Sequence, residues 1–372
     1  MKKSVKIIIS VLAIVLICAI SFDVLLVNNS KQETPANTTQ NIENQATESE
    51  EKTYSNPVEA QARKMVENMT LYEKVGQMLL YYIPKEEPLK KMARWQFGGY
   101  ILFSRNFQNS TPANTRSEIE EYQKASKIPA FMAVDEEGGG VNRVSQFSQY
   151  RSEPFHAGIT NYQKGGWQAV EADAKDKSEF MLDLGINTVL APVADVPYSR
   201  SDYIYSRAFS TDADSVSEYV SKTVSTMKEN KLLSCVKHFP GYGNNGDTHS
   251  QIIRDKRKLS TFKSRDLLPF KAGIKAGADM IMVSHNIVDA FDKKYPASLS
   301  KKVHKYIRNE MNYDGVIITD GLGMNGVVDF VGGDKGEAAI KSVLAGNDML
   351  CANNYKIQYP AVLEAVKDGK IK

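Results

Sequence analysis

Eight runs of almost continuous apolar residues limit what this chain can fold into. They cover 76–80, 99–103, 130–134, 187–192, 232–236, 279–283, 315–319 and 348–351. Helical patterns fill most of the gaps, at 114–126, 167–183, 213–229, 261–276, 300–311 and 335–345. A strand that is apolar along its whole length has both faces covered, which indicates a parallel sheet flanked by helices. Eight such units predict an α/β chain closed into a (β/α)8 TIM-type barrel rather than an open doubly wound sheet. Residues 57–69 read as a helix ahead of the barrel, and Thr70-Leu71-Tyr72-Glu73 reads as a cap opening a further helical turn.

The 372 residues exceed what a barrel of about 250 residues needs, and the surplus is N-terminal. Residues 1–27 begin with a basic stretch, Met1-Lys2-Lys3-Ser4-Val5-Lys6, and continue as an apolar span broken by Asp23. They read as a signal peptide or an uncleaved signal anchor. Ala19-Ile20-Ser21 offers a weak cleavage site, and Ile17 spoils the lipidation box ending at Cys18. The span approaches the roughly 20 residues of a membrane helix, which favours the anchor. The protein is therefore expected to be exported, and either anchored in the cell membrane or secreted. Residues 28–55, rich in Asn, Gln, Thr, Glu and Ser, read as a disordered linker because they cannot bury enough apolar surface to offset ordering entropy. Residues 56–372 form the barrel domain. Lys and Arg total 47 against 44 acidic residues, a net charge of +3 without a basic block beyond the N-terminus, so nucleic acid is not an expected partner. The three cysteines, Cys18, Cys235 and Cys351, lie in apolar runs and read as buried thiols rather than a disulfide framework.

Barrel chemistry sits where strands end. Just past the apolar runs stand Arg105, Asp135, Asp195, Lys237 with His238, His285 and Asp320. Asp320, followed by glycine, could attack a sugar as a nucleophile or merely cap the next helix. Asp247 and His249 close a loop carrying Gly241, Gly243 and Gly246; a carboxylate beside an imidazole suits proton transfer. Metal binding by His238, Asp247 and His249 is the alternative, as is a loop with incidental charges. Asp135 and Arg143 bracket Gly138-Gly139-Gly140, suiting either sugar-hydroxyl recognition or a structural ion pair at the rim. These glycines lack the spacing of a dinucleotide-binding turn. His156 and His304 read as surface residues.

In order, the chain carries Met69 to Met78, Gly98 to Asn106, Asp135 to Arg143, Ala191 to Val196, Arg207-Ala208-Phe209-Ser210, Lys237 to His249, Ile281 to His285, Pro296 to Ser300 and Ile318-Thr319-Asp320. Together these segments resemble glycoside hydrolase family 3, in its single-domain β-N-acetylhexosaminidase branch, from about Tyr54 onward. The resemblance implies a retaining exo-β-N-acetylglucosaminidase needing no metal or organic cofactor, acting on cell-wall fragments or chitin-type oligosaccharides. It assigns the nucleophile to Asp320, the acid/base to His249 paired with Asp247, and sugar binding to Asp135, Arg143, Arg207, Lys237 and His238. It also implies that the glycine-rich loop swings His249 in and out of the site. A family phosphorylase, a β-glucosidase and a non-catalytic wall-sugar-binding module are the alternative readings. The loop between Gly243 and Asp247 is one residue shorter than the commonest family form, and Tyr242 replaces a frequent histidine, which predicts an altered loop conformation. Glu136 and Gly140 stand where Gln and Arg are common, which predicts an altered rim of the sugar site. The family usually continues beyond the position of Lys372, so the resemblance predicts a barrel lacking its final helix, or a fragment.

Overall fold

The computed structural model describes residues 57–372; the expected signal or anchor (1–27) and the linker (28–55) lie outside the described residues. The barrel strands are β1 (Leu79–Tyr82), β2 (Gly99–Leu102), β3 (Phe131–Val134), β4 (Thr188–Val189), β5 (Leu233–Phe239), β6 (Met280–Val283), β7 (Val316–Thr319) and β8 (Leu350–Ala352). All pair in parallel in chain order, with β8 beside β1 at Leu79↔Leu350 and Leu80↔Cys351. The ring closes between β7 and β8 through the Ile318↔Met349 bridge, where the Thr319 N–H meets the Met349 carbonyl at 3.2 Å.

Alternation along each strand explains why the runs are apolar throughout. Leu80, Ile101, Phe131, Ala133, Cys235, Met282, Ile318 and Cys351 belong to one buried cluster filling the barrel, with Ala62 and Val66 of the N-terminal helix Pro57–Asn68 packed into it. Their neighbours Leu79, Tyr81, Met132, Val134, Val236, Ile281 and Ile317 pack in the two clusters outside the ring. Each such side chain fully removed from water contributes about 1.5–3 kcal/mol. Cys235 and Cys351 are buried free thiols, as their setting suggested.

The covering helices are α1 (Pro88–Trp95), α2 (Pro112–Ala125), α3 (Gly158–Asp183), α4 (Ala213–Glu229), α5 (Leu267–Ala276), α6 (Lys301–Lys305), α7 (Lys335–Ala345) and α8 (Tyr355–Lys367). The Thr70 cap forms as expected: the Glu73 N–H donates to Thr70 Oγ1 at 3.3 Å, and the Thr70 N–H donates to Glu73 Oε2 at 2.8 Å. The helix it opens, Leu71–Gln77, absorbs Gly76 and Gln77, so the first strand begins at Leu79, three residues later than the apolar run.

Two further corrections concern helices. The two-turn α1 has Met92 as its one buried residue, too little apolar signal to mark a helix. The expectation of a barrel without its final helix is overturned by α8, which carries Pro360 and buries Gln358, Tyr359, Val362 and Leu363. Gln358 Oε1 accepts the N–H groups of Asn353 (3.0 Å) and Asn354 (2.8 Å), supplying the cap that the local sequence does not advertise. His304 also departs from its surface reading: it is buried in α6, with Nδ1 donating to the Ser300 carbonyl at 2.8 Å.

Candidate active site

Strand β5 carries Lys237 and His238 into the carboxyl-end mouth, and every residue of it is buried. Lys237 Nζ stands 2.7 Å from both Asp135 Oδ1 and Glu137 Oε1. Glu137 in turn takes a two-pronged contact from Arg207, Nε to Oε2 at 3.0 Å and Nη2 to Oε1 at 2.7 Å. Two cations and two carboxylates thus alternate as Asp135–Lys237–Glu137–Arg207, mostly out of water. Burial would raise the Glu137 carboxyl, but Lys237 and Arg207 outweigh it and hold the group well below the usual range. Lys237 is pushed above its ordinary value by Asp135 and Glu137 against the opposing effect of burial.

His238 is oriented from two sides. Its Nδ1 lies 2.8 Å from Asp195 Oδ2, and Asp195 also accepts the backbone N–H of His238 (3.1 Å) and of Tyr242 (2.7 Å). Its Nε2 faces Arg207 Nη2 at 3.2 Å. A guanidinium can only donate, so the network assigns a proton to Nδ1, where Asp195 accepts it. With both nitrogens engaged, His238 does not join Asp247 and His249 in a metal triad. Among the described residues no group of three His, Cys, Asp or Glu is arranged to hold a metal.

Asp320 emerges from β7, and the Gly321 N–H donates to its Oδ1 at 2.7 Å. His285 anchors the same residue: Nε2 donates to the Gly321 carbonyl at 3.0 Å while Nδ1 meets Ser298 Oγ at 2.7 Å. The Tyr82 hydroxyl lies 2.3 Å from where a Cβ on residue 321 would be, so a larger residue after Asp320 would have to displace that ring. Burial opposes ionisation of Asp320, yet His238, His285, the Gly321 N–H and His249 together hold its carboxyl below the ordinary value. The helix-cap alternative for Asp320 does not fit, because its carboxylate serves the adjacent amide in the mouth.

His249 reaches the same mouth from the β5–α5 loop. Asp247 Oδ1 receives the His249 backbone N–H at 2.9 Å and its Nδ1 at 2.6 Å. The pair is open to solvent, with 59% of the imidazole and 34% of the carboxylate side chain exposed. The loop end docks on the loop after Asp320, where the Gly326 N–H meets the Thr248 carbonyl at 2.9 Å.

The structure therefore joins Asp135, Arg207, Lys237 and His238 in one network, with Asp320 and the Asp247–His249 pair beside it. Arg143 stays outside: its backbone N–H goes to Glu136 Oε2 at 2.7 Å, and its Nε is buried without a hydrogen-bond partner. The Asp135–Arg143 rim pair is replaced by Asp135–Lys237. Glu136 does not shape the rim either. It is fully buried and accepts the N–H groups of Arg143, Val144 and Ser145 at 2.7–3.0 Å, tying down the hairpin after β3. Gly138 is approached by the chain itself, the His156 carbonyl lying 2.1 Å from its absent Cβ, rather than by ligand. Arg105 turns back to the Ile83 carbonyl. The residue missed from sequence is Glu137; its signal was a second carboxylate two positions after Asp135, on the same side of an extended segment.

Glu137→Gln is expected to destabilise the fold by about 3–5 kcal/mol, since it strips one carboxylate from a buried ion cluster. The wild-type contribution is present above the unfolded carboxyl value near pH 4.3 and is lost as pH falls toward the depressed folded value. Thermal midpoints measured from pH 3 to 7 should therefore fall with acid in the wild type and fall less in the variant.

An ionised carboxylate and an imidazole–carboxylate pair in the mouth of a parallel barrel are equipped for displacement at a glycosidic carbon, the chemistry of a barrel glycoside hydrolase. Residues 70–372 match the model of the glycosyl hydrolase family 3 N-terminal domain, and the chain belongs to that family. A β-hexosaminidase of Methylococcus capsulatus is 31% identical over 280 residues, spanning 73% of this chain and 80% of the relative. One of Idiomarina loihiensis is 33% identical over 290 residues, spanning 75% and 83%. A family 3 β-N-acetylglucosaminidase structure from Paenibacillus sp. superposes with a TM-score of 0.74 at 27% identity, covering 82% of this chain and 59% of that one. The fold is shared by a β-N-acetylhexosaminidase from Beutenbergia cavernae, TM-score 0.71 at 22% identity, covering 82% and 94%.

Proposed function

We propose that this chain is a retaining exo-β-N-acetylglucosaminidase that removes terminal N-acetyl-β-hexosamine residues from oligosaccharides. The observation that carries the reading is the ionised Asp320 beside the Asp247–His249 pair, with the Lys237–His238 grip in the same mouth. Similarity to bacterial β-hexosaminidases supports the acetamido sugar.

In the first step an Asp320 oxygen bonds to the anomeric carbon as the glycosidic C–O bond breaks, and His249 Nε2 gives its proton to the departing oxygen. In the second step His249 Nε2 takes a proton from water, the water oxygen bonds to the anomeric carbon, and Asp320 leaves as carboxylate. Two displacements retain the configuration. Asp247 keeps the Nδ1 proton in place so that Nε2 is the nitrogen that reacts. Asp135, Arg207, Lys237 and His238 would bind the sugar hydroxyls, and Arg143 is the further candidate there. No described helix is long and apolar enough to cross a membrane. The basic, apolar N-terminal sequence supports export, by anchor or cleavable signal, toward cell-wall fragments or chitin-type substrates.

An aryl β-N-acetylglucosaminide should be cleaved at least about 100-fold more efficiently in kcat/KM than the matching aryl β-glucoside. A preference for the glucoside would sink the acetamido specificity, and release of sugar 1-phosphate in phosphate buffer would select a phosphorylase.

A further inference from the structure

The Asp247–His249 pair is open to solvent, and such a pair orients weakly because water competes for both partners and side-chain entropy opposes a single geometry. Its position depends on what fixes the glycine-rich loop that carries it. We infer that Arg257 is a positioning residue for the acid/base, its guanidinium clamping the start of that loop and so setting where His249 stands. The inference rests on the acid/base role proposed for His249.

Arg257 lies later in the same β5–α5 connection, with its side chain mostly out of water. Its Nη2 donates to the Gly241 carbonyl at 2.9 Å and reaches that of Tyr242 at 3.4 Å. Gly243 turns past it with φ +56°, and a Cβ there would lie 2.1 Å from Nη1, so the loop wraps directly against the guanidinium. The clamp is itself fixed by two buried carboxylates. Asp255 Oδ2 accepts Nε at 2.9 Å and Nη2 at 2.6 Å, and Asp266, just ahead of α5, accepts Nη1 at 2.6 Å. Charge-assisted contacts of this kind, away from water, hold geometry better than an exposed pair does. Asp255 is tied in turn to the loop after β6, through the parallel pairing of Arg254–Asp255 with Ile287–Val288.

Two paths of hydrogen bonds lead from the clamp toward the pair. Asn245 Nδ2 joins Asp255 Oδ2 (2.6 Å) to the Tyr242 carbonyl (2.7 Å), closing the turn before Gly246. The Tyr242 hydroxyl meets Thr248 Oγ1 at 2.6 Å, and Thr248 stands between Asp247 and His249. The far end is held separately, where the Thr248 and His249 carbonyls accept from Gly326 and Asn325 at 2.9 and 3.3 Å. Between these two anchors the imidazole has a defined place at the mouth.

Arg257→Lys keeps a cation for Asp255 and Asp266 but cannot span the carboxylates and the loop carbonyls together. It should lower kcat/KM about 10-fold on a glycoside with a poor leaving group and less than about 2-fold on one with an activated aryl leaving group. Asn245→Ala, which leaves the buried ion cluster whole, should show the same selectivity with a loss of about 3-fold on the poor substrate. It carries the test alone if Arg257→Lys does not fold. In a His249→Ala background neither substitution should lower kcat/KM further. Equal losses on both substrates, or an undiminished loss without His249, would overturn the inference. A leaving-group-dependent loss in His249→Ala, with none in either clamp variant, would overturn the clamp alone. A uniform loss in His249→Ala would overturn the acid/base role and the clamp with it. The comparison uses whichever aryl and alkyl glycosides the wild type cleaves, so it stands even if the acetamido specificity fails.

Discussion

Replacing Asp320 by alanine is expected to lower kcat by on the order of 10⁴-fold or more while leaving the fold intact. The carboxylate is the atom pair that would bond to the sugar, and nothing else in the mouth can take its place: Asp135 and Glu137 are bound by Lys237, and Asp195 by His238 and Tyr242. The barrel does not depend on it, because the contacts that close β7 on β8 are made by Ile317, Thr319, Asp348, Met349 and Cys351. Circular dichroism and a thermal midpoint close to wild type should accompany the loss. Since the Asp320 carboxyl is held below its ordinary value, it stays ionised through the neutral and mildly acidic range, and an acid limb of the wild-type profile there should belong to another group. Retained activity in the alanine variant would remove Asp320 from the reaction.

His249→Ala should be nearly as damaging, but selectively. Proton donation by a placed side chain is worth roughly 10²–10⁴-fold, and only where the leaving oxygen needs the proton. A chitin-type disaccharide should lose that full amount. An activated aryl glycoside should lose about 10-fold or less in the glycosylation step and then stall, because water is no longer deprotonated. Azide, which attacks the anomeric carbon without a base, should restore turnover and yield the glycosyl azide as Asp320 departs. A uniform loss across leaving groups, with no azide product, would contradict the acid/base role.

The barrel was legible because its strands are covered on both faces, so each appears as a continuous apolar run; Ile317 faces outward and Ile318 inward within one such run. What escaped was structure held by single polar contacts. The cap of α8 comes from Gln358, inside the helix, and the proline at 360 disguises the rest. Within the site, the strand-end positions of Asp135, Lys237, His238 and Asp320 were readable from spacing. Their pairing was not: Lys237 meets carboxylates 102 and 100 residues away, and no local pattern distinguishes Glu137, which binds two cations, from Glu136, which binds three amides.

The central claim is that Asp320 becomes covalently bonded to the sugar during turnover. It can be tested by intact-protein mass measurement, followed by peptide mapping, after exposure to a fluorinated N-acetylglucosaminide that forms the glycosyl-enzyme faster than it releases it. One added glycosyl mass is expected, carried by the peptide containing Asp320 and missing in Asp320→Ala. Turnover with no adduct, or an adduct on any other residue, would contradict it.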